Sequence, residues 1–461
     1  MNLIDSVIGF FSPQAGLQRA VNRQHLDEIK GRRYYEGGSF DRLTKTWFPQ
    51  KQAGDSNDIA EVQRIRDRAH HLYGNNAYVN KAVRALTSRV YGYGMTPESA
   101  ALNSDGDVYA EFRQLANELW NRWTQQCHSL GNPWQGGATF DELMIMGLHE
   151  LVLSGEFLIR FEHLSNEEMQ KQGLDVPLKL TLLEAERLVE TFVSRPQNGE
   201  AIFRGIIFNE DGTRKAYRIY EQNPYHIFLS FGSKGWKYED YPAEDFIHIF
   251  QKTRPGSLRG VSALTPILLN AKNLDSLIYN EVVASTVNSC FTVARKKSPL
   301  NQMQGLSGTA SNGDNEDPDG NSITRLQPGT IMDLGPDESL EMIDPKRPNA
   351  QLDQFVSFIV RGMAAGLPCV KSSTISGDYR NSSFSSEKSN ENDLYWEVMA
   401  MQNWFANTCL RPVYAQFIES AIMAGAFDEL NLPPLAEMSP KERHLLCDST
   451  WRGPTSKSLN P

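Results

Sequence analysis

Paired cysteines are missing from this sequence. Its five cysteines, Cys127, Cys290, Cys369, Cys409 and Cys447, are odd in number, widely spaced and free of any CxxC pair. Neither a disulfide framework nor a zinc knuckle is indicated, and buried, inert thiols are expected. Long apolar runs are missing too. None approaches the roughly 18 residues that span a bilayer, and no basic leader precedes the apolar patch from Leu3 to Phe11, so a chain made in the cytoplasm, outside any membrane, is expected. Nor is there an excess of positive charge. With 46 Lys and Arg against 56 Asp and Glu, the net charge is -10, which argues against a protein that grips nucleic acid by neutralising many phosphates. An acidic chain is still compatible with a conduit, because a wall that binds a passing polyanion must be unstuck at every step.

The motifs of common chemistries are also absent. Without GxxxxGK[ST] there is no backbone cradle for nucleotide phosphates, and neither HExxH nor GxSxG occurs. His149-Glu150 lacks the second histidine of a zinc site, His70-His71 lies at a helix end, and His248 alternates with Phe246 and Phe250 as a sheet residue does. Structural roles are expected for all of them, and no cofactor or metal. The segment Arg254-Pro255-Gly256-Ser257-Leu258-Arg259-Gly260 has the composition of an anion-binding turn, but a tight joint between a strand and a helix is the favoured reading. Asp314, Glu316, Asp317 and Asp319 lack the register of a calcium loop and read as a solvated linker.

What is present is enough core for two to four structural units, with 461 residues that are 40% hydrophobic. Helical spacing runs from residue 60 to 91, broken at Gly74-Asn75-Asn76, then from Val108 to Trp123 and from Phe140 to Ser154. From Glu156 the period becomes two, in Phe157, Ile159 and Phe161, in Leu178, Leu180 and Leu182, and in later runs up to Phe250, with a hairpin expected at Asp211-Gly212. A long helix is predicted from Ser262 to Asn288, with Pro266 in its first turn. After Arg295-Lys296-Lys297, residues 307–321 are too polar to order themselves. A helix from Gln351 to Ala365 is expected to place Phe355, Phe358, Ile359 and Met363 on one side. After a Ser-rich loop, another helix from Glu387 to Met423 is expected to kink or split at Pro412. The tail beyond Phe427 is mostly polar. The fold class is therefore α+β, predominantly helical.

One block is more specific than any periodicity. Tyr241-Pro242-Ala243-Glu244-Asp245-Phe246-Ile247-His248-Ile249-Phe250, followed by Arg254-Pro255-Gly256 and Arg259-Gly260-Val261-Ser262, resembles the lambda-type phage portal family. Further similar segments are Asn75-Asn76-Ala77-Tyr78-Val79, Ser154-Gly155-Glu156, Leu326-Gln327-Pro328-Gly329 and Arg361-Gly362-Met363-Ala364-Ala365-Gly366-Leu367-Pro368, in the family's order. Two departures stand out. Glu387 precedes Lys388 where the family has an arginine after its Asn-Tyr-Ser-Ser-type motif, so no specific contact is carried over there. Trp451-Arg452-Gly453-Pro454 looks like the start of a longer family segment, which leaves the expected crown short.

The resemblance implies a ring of about a dozen copies that lets double-stranded DNA through one capsid vertex without sequence specificity. Each subunit would divide into a wing (1–258), a stem helix (259–290), a clip (291–350) with a mobile loop (307–321), a second stem helix (351–366), a tunnel loop (367–386), a long wing helix (387–424), and a tail that starts the crown (425–461). Implied partners are the large terminase subunit, a head-completion or adaptor protein, and the major capsid and scaffold proteins. The implied place is the virion, reached from the host cytoplasm. Lys371, Arg380 and Lys388 are the cations in or beside the Ser-rich loop and are candidates to lie near DNA; Arg295, Lys296 and Lys297 are candidates for partner binding at the clip. Two rival readings are another capsid-assembly protein and a nucleic-acid enzyme. The enzyme would have to use Glu184 and Glu186 near a strand end, without a metal-ligand set or a basic patch.

Overall fold

Asn76 shows how locally this fold is encoded. Its side chain accepts hydrogen bonds from the N–H groups of Tyr78 and Val79, so a single residue ends α1 (Ile59–Asn75) and caps α2 (Ala77–Val90). Its amide nitrogen meanwhile donates to Ala271 O, tying the cap to a helix almost two hundred residues away. This computed structural model describes residues 59–103, 105–190, 201–225, 237–296, 315–316, 322–323, 330–334, 351–380 and 383–454. All of them belong to one compact unit, Asn57–Pro461.

After α2 the chain forms β1 (Thr96–Ser99), α3 (Ala110–Trp123) and α4 (Phe140–Leu153), the last opened by a capping box between Thr139 and Glu142. Then the period of two takes over as expected. β2 (Glu156–His163) is the centre of a three-stranded antiparallel sheet, between β3 (Leu178–Glu184), which follows α5 (Asn166–Gln172), and β8 (Phe246–Phe250). A second antiparallel sheet runs in order through β4 (Ala201–Phe203), β5 (Ile206–Phe208), β6 (Arg214–Tyr220) and β7 (Tyr238–Pro242). Gly212, at φ +84°, makes the predicted β5–β6 turn. A small core of Leu158, Leu183, Ile206, Tyr217, Ile219 and Phe246 joins the sheets, and a larger one holds the helices together.

α6 (Leu268–Cys290) starts six residues later than its periodicity suggests. Ser262 instead turns the chain, its hydroxyl accepting from Leu264 N and donating to Val152 O, and Pro266 lies in these turns before the helix. β9 (Phe291–Lys296) follows directly. Of the expected polar loop, Asn315–Glu316 (β10) pairs with Ser322–Ile323 (β11), and the rest of 307–321 lies outside the described residues. β12 (Thr330–Leu334) runs parallel to β9, and α7 (Leu352–Ala365) and α8 (Ser372–Ser376) come next.

The irregularity expected at Pro412 is a local change of helix type, and the chain stays helical through it. α9 (Phe384–Phe405) passes through a π-helical stretch, Ala406–Leu410, into α10 (Arg411–Met423). The wider turns fall just before the proline, whose missing N–H then sits in the first turn of α10, where an unpaired donor is normal. The tail departs further from expectation. α11 (Pro440–Cys447) and β13 (Ser449–Arg452) follow, and β13 pairs antiparallel with β1. Trp451 packs on Trp120 and Tyr414. Up to Pro454, therefore, the segment after 425 is tied to β1, α3 and α10.

Candidate functional site

Charge is concentrated where the two sheets, α1 and the strand-to-helix connector meet. Gly155, at φ +90°, turns the chain from α4 into β2, so the Glu156 side chain is fully buried at the start of the strand. Arg259 Nε lies 2.7 Å and 2.9 Å from its two oxygens, Gly260 N donates at 2.8 Å, His248 Nε2 is 2.9 Å away, and Arg66 Nη2 donates from α1. Beside it, Glu190 Oε1 accepts from Arg66 at 3.0 Å and from Arg204 and Arg259 at 3.2 Å each. The Arg254–Gly260 segment thus does bind an anion, but the anion is the chain's own Glu156. The favoured reading of that segment as a joint is the right one.

Burial alone would raise the Glu156 carboxyl, but Arg259, Arg66 and His248 hold it well below the usual carboxylate range. His248 is pushed down to about 4 by burial, against the opposing pull of Glu156. Its Nδ1 has no partner among the described residues, so a second ring proton would be buried without an acceptor. Because the unfolded ring titrates near 6.5, the unfolded chain binds a proton that the folded chain refuses between pH 6.5 and about 4. Stability therefore drops as the pH is lowered across that window, by roughly 3 kcal/mol at its acid end. Urea midpoints measured between pH 7 and about pH 4.5 should show this slope, and His248→Gln should flatten it. An equally steep slope in the variant would point to another group.

The channel-loop candidates are spread over two elements. Lys371, just before α8, is largely buried and lies 2.6 Å from Glu391 and 3.5 Å from Glu387, both on α9. Arg380 is exposed and shared between Asp378 at 2.8 Å and Asp353 of α7 at 3.1 Å; it holds the Asp378 carboxyl down at about 2. Lys388 is exposed on α9. Between α7, the loop and α9 lies a cavity of about 750 Å³, with Asp353, Arg361, Lys371, Asp378, Glu387 and Asp393 on its walls. Of the partner-binding candidates, Arg295 and Lys296 belong to β9, opposite Asp333 and Leu334 of β12, and Lys297 lies outside the described residues.

The residues that tempt toward catalysis have structural partners. His149 Nε2 is 3.2 Å from the Thr87 hydroxyl, and His70 Nε2 is 2.9 Å from the Ser154 hydroxyl. Glu184 accepts from Asn223. Among the described residues, no group of three or more His, Cys, Asp or Glu side chains is placed to hold a metal ion, and no helix is long and apolar enough to cross a membrane.

The most conspicuous surface is apolar. Leu269, Tyr279, Val282 and Val283 of α6 and Phe355 and Phe358 of α7 are 42% to 72% exposed. α7 turns Val360, Met363 and Ala364 inward instead, so the expected stripe divides: Met363 is core, and Phe355 and Phe358 face outward. Sequence periodicity did not distinguish apolar residues buried in the core from apolar residues left exposed on the same helix.

The fold thus combines two sheets and a helical core with two long helices, exposed apolar side chains on α6 and α7, and a polar loop. The chain belongs to the lambda family of phage portal proteins, whose profile matches residues 40–402. It is 22% identical over 400 residues to the probable portal protein of Halomonas phage phiHAP-1, covering 86% of this chain and 73% of that one. It is 20% identical to the portal protein of Escherichia phage N15 (90% and 80% covered) and 21% identical to portal protein B of Escherichia phage lambda (89% and 78%). Among solved structures, a chain from the virion of a native gene transfer agent particle aligns at a TM-score of 0.40 and 10% identity, covering 88% of this chain and 97% of that one. A chain from the neck of the native particle, computed with C12 symmetry, aligns at 0.36 and 11%, covering 83% and 93%.

Proposed function

We propose that this portal chain closes into a ring of about a dozen copies at one capsid vertex, through which double-stranded DNA is packaged and later released. The observation that carries the reading is the apolar face of α6 and α7. Exposed aromatic and branched side chains gathered on two neighbouring helices are the kind of surface that marks a contact with another protein, and a heterologous contact that closes on itself covers it once per copy. The net charge of -10 suits a wall that does not retain a polyanion. On this reading the loop carrying Lys371 and Arg380, with Lys388 beside it on α9, faces the DNA, and the clip with Arg295, Lys296 and Lys297 docks the large terminase subunit and then a head-completion protein. Major capsid and scaffold proteins surround the wing, assembly takes place in the host cytoplasm, and the chain catalyses no reaction.

Native mass spectrometry with negative-stain imaging tests this. Rings with a central hole are expected for the purified chain, and Val282→Asp with Phe358→Asp should yield monomers with an unchanged circular dichroism spectrum, since both positions are exposed in the single chain. Rings that survive both substitutions would place the subunit contact elsewhere. A compact dimer with nuclease activity would overturn the portal reading.

A further inference from the structure

Cys369 lies between α7 and α8 at φ +58°, one of three non-glycine residues at positive φ among those described. Such a conformation is unfavourable for a residue with a side chain, and it persists only where the surroundings dictate it. Here they do so from both sides of the residue. The Cys369 N–H donates to Glu397 Oε2 of α9 at 2.9 Å, and its carbonyl accepts from Arg89 Nη1 of α2 at 3.0 Å. Arg89 reaches on through Nη2 to the Thr374 hydroxyl at 2.9 Å, in the middle of α8. The flanking Leu367, Val370 and Ile375 are buried in the larger core. Two charged side chains from two helices therefore grip one strained residue through the peptide groups on either side of it, and Lys371 follows two residues later.

We propose that Arg89 and Glu397 are positioning residues for the channel loop: by holding Cys369 left-handed, they set the direction in which residues 370–380 leave α7. Neither residue stands among the loop cations, and neither needs to meet DNA. The proposal rests on the portal reading for what the loop is for, but its geometry does not depend on it. An arginine is required at position 89 because one planar group must donate to two acceptors at once, which a lysine does not reproduce. Glu397 supplies the acceptor for an N–H that a left-handed residue directs away from its own helix.

Rescue separates positioning from plain stabilisation. Glycine adopts positive φ without penalty, so Cys369→Gly should remove the need for the grip, whereas Cys369→Ala loses the thiol equally but keeps the Cβ. In hydrogen exchange read by mass spectrometry on the full chain, Arg89→Ala should speed exchange of the 369–376 amides roughly tenfold, with α3 and α4 unchanged. Adding Cys369→Gly to Arg89→Ala should restore most of that protection, and adding Cys369→Ala should not. Particles carrying Arg89→Ala should retain less packaged DNA, with recovery in the glycine double variant. Unchanged exchange in Arg89→Ala, or rescue by alanine as good as by glycine, would overturn the proposal. Because the exchange measurements need neither ring nor DNA, a failure of the portal reading would show separately, as missing rings.

Discussion

Glu156→Gln is expected to destabilise the protein by about 3–5 kcal/mol, the cost of leaving buried charge unpaired. The substitution keeps the size and nearly the shape of the side chain, so no cavity forms and only charge and one acceptor are lost. Arg66 and Arg259, 2% and 3% exposed, would then share Glu190 with Arg204, three guanidinium groups against one carboxylate. The amide would also turn an N–H toward donors that already point at it. Urea unfolding followed by circular dichroism measures the effect, with Arg380→Ala as the comparison. Arg380 is exposed, and its pairs with Asp378 and Asp353 are of the kind that seldom matter measurably, so its removal should leave the midpoint almost unchanged. A Glu156→Gln variant as stable as wild type would mean that the arginines find water or another acceptor at the joint, and the cluster would then not hold it.

Part of this arrangement was legible in the sequence and part was not, for identifiable reasons. The helices up to Leu153, the strands from Glu156 and the turn at Gly212 follow from periodicity and turn chemistry, because each is decided by neighbours a few residues away. Three of the segments similar to the portal family, Ser154-Gly155-Glu156, Phe246 to Phe250 and Arg259 to Ser262, turn out to meet one another at the joint, a relation that exists only in three dimensions. Arg66 gave a faint signal, a charged residue on the Val62–Ala69 stripe of α1, and its buried position explains it. Glu190, Arg204, Arg89 and Glu397 gave none: each is an ordinary charged residue whose role is set by a distant partner. Phe355 and Phe358 carried the opposite ambiguity. Their spacing marks apolar residues, but not that Met363 turns into the core while Phe355 and Phe358 stay exposed.

Gly155→Ala should be more damaging than the other glycine replacements at a comparable backbone angle, and Gly260→Ala, which carries no left-handed penalty, should be damaging through overlap alone. A Cβ on Gly155 would lie 2.3 Å from the Val261 carbonyl carbon, and one on Gly260 would lie 2.1 Å from Gly155 O. Both obstacles are backbone, so neither can swing aside as a side-chain tip would. Moving either chain pulls Gly260 N and Arg259 off Glu156, since all three sit on the same two crossing segments. Gly212 isolates the two contributions. It has φ +84° against +90° for Gly155, but nothing lies within 4 Å of its would-be Cβ. Gly212→Ala should therefore cost only the left-handed penalty, about 1–2 kcal/mol. Gly155→Ala should exceed roughly 4 kcal/mol, or fail to give soluble protein, because it adds overlap at a joint that cannot relax. Chemical denaturation of the two variants side by side measures the difference directly. If they were destabilised equally, the close approach of Gly155 to Val261 would contribute nothing, and the left-handed turn alone would account for the glycine. If Gly155→Ala proves far worse, the glycine is there so that two backbones can touch, which lets Arg259 and Gly260 reach Glu156 where β2 begins.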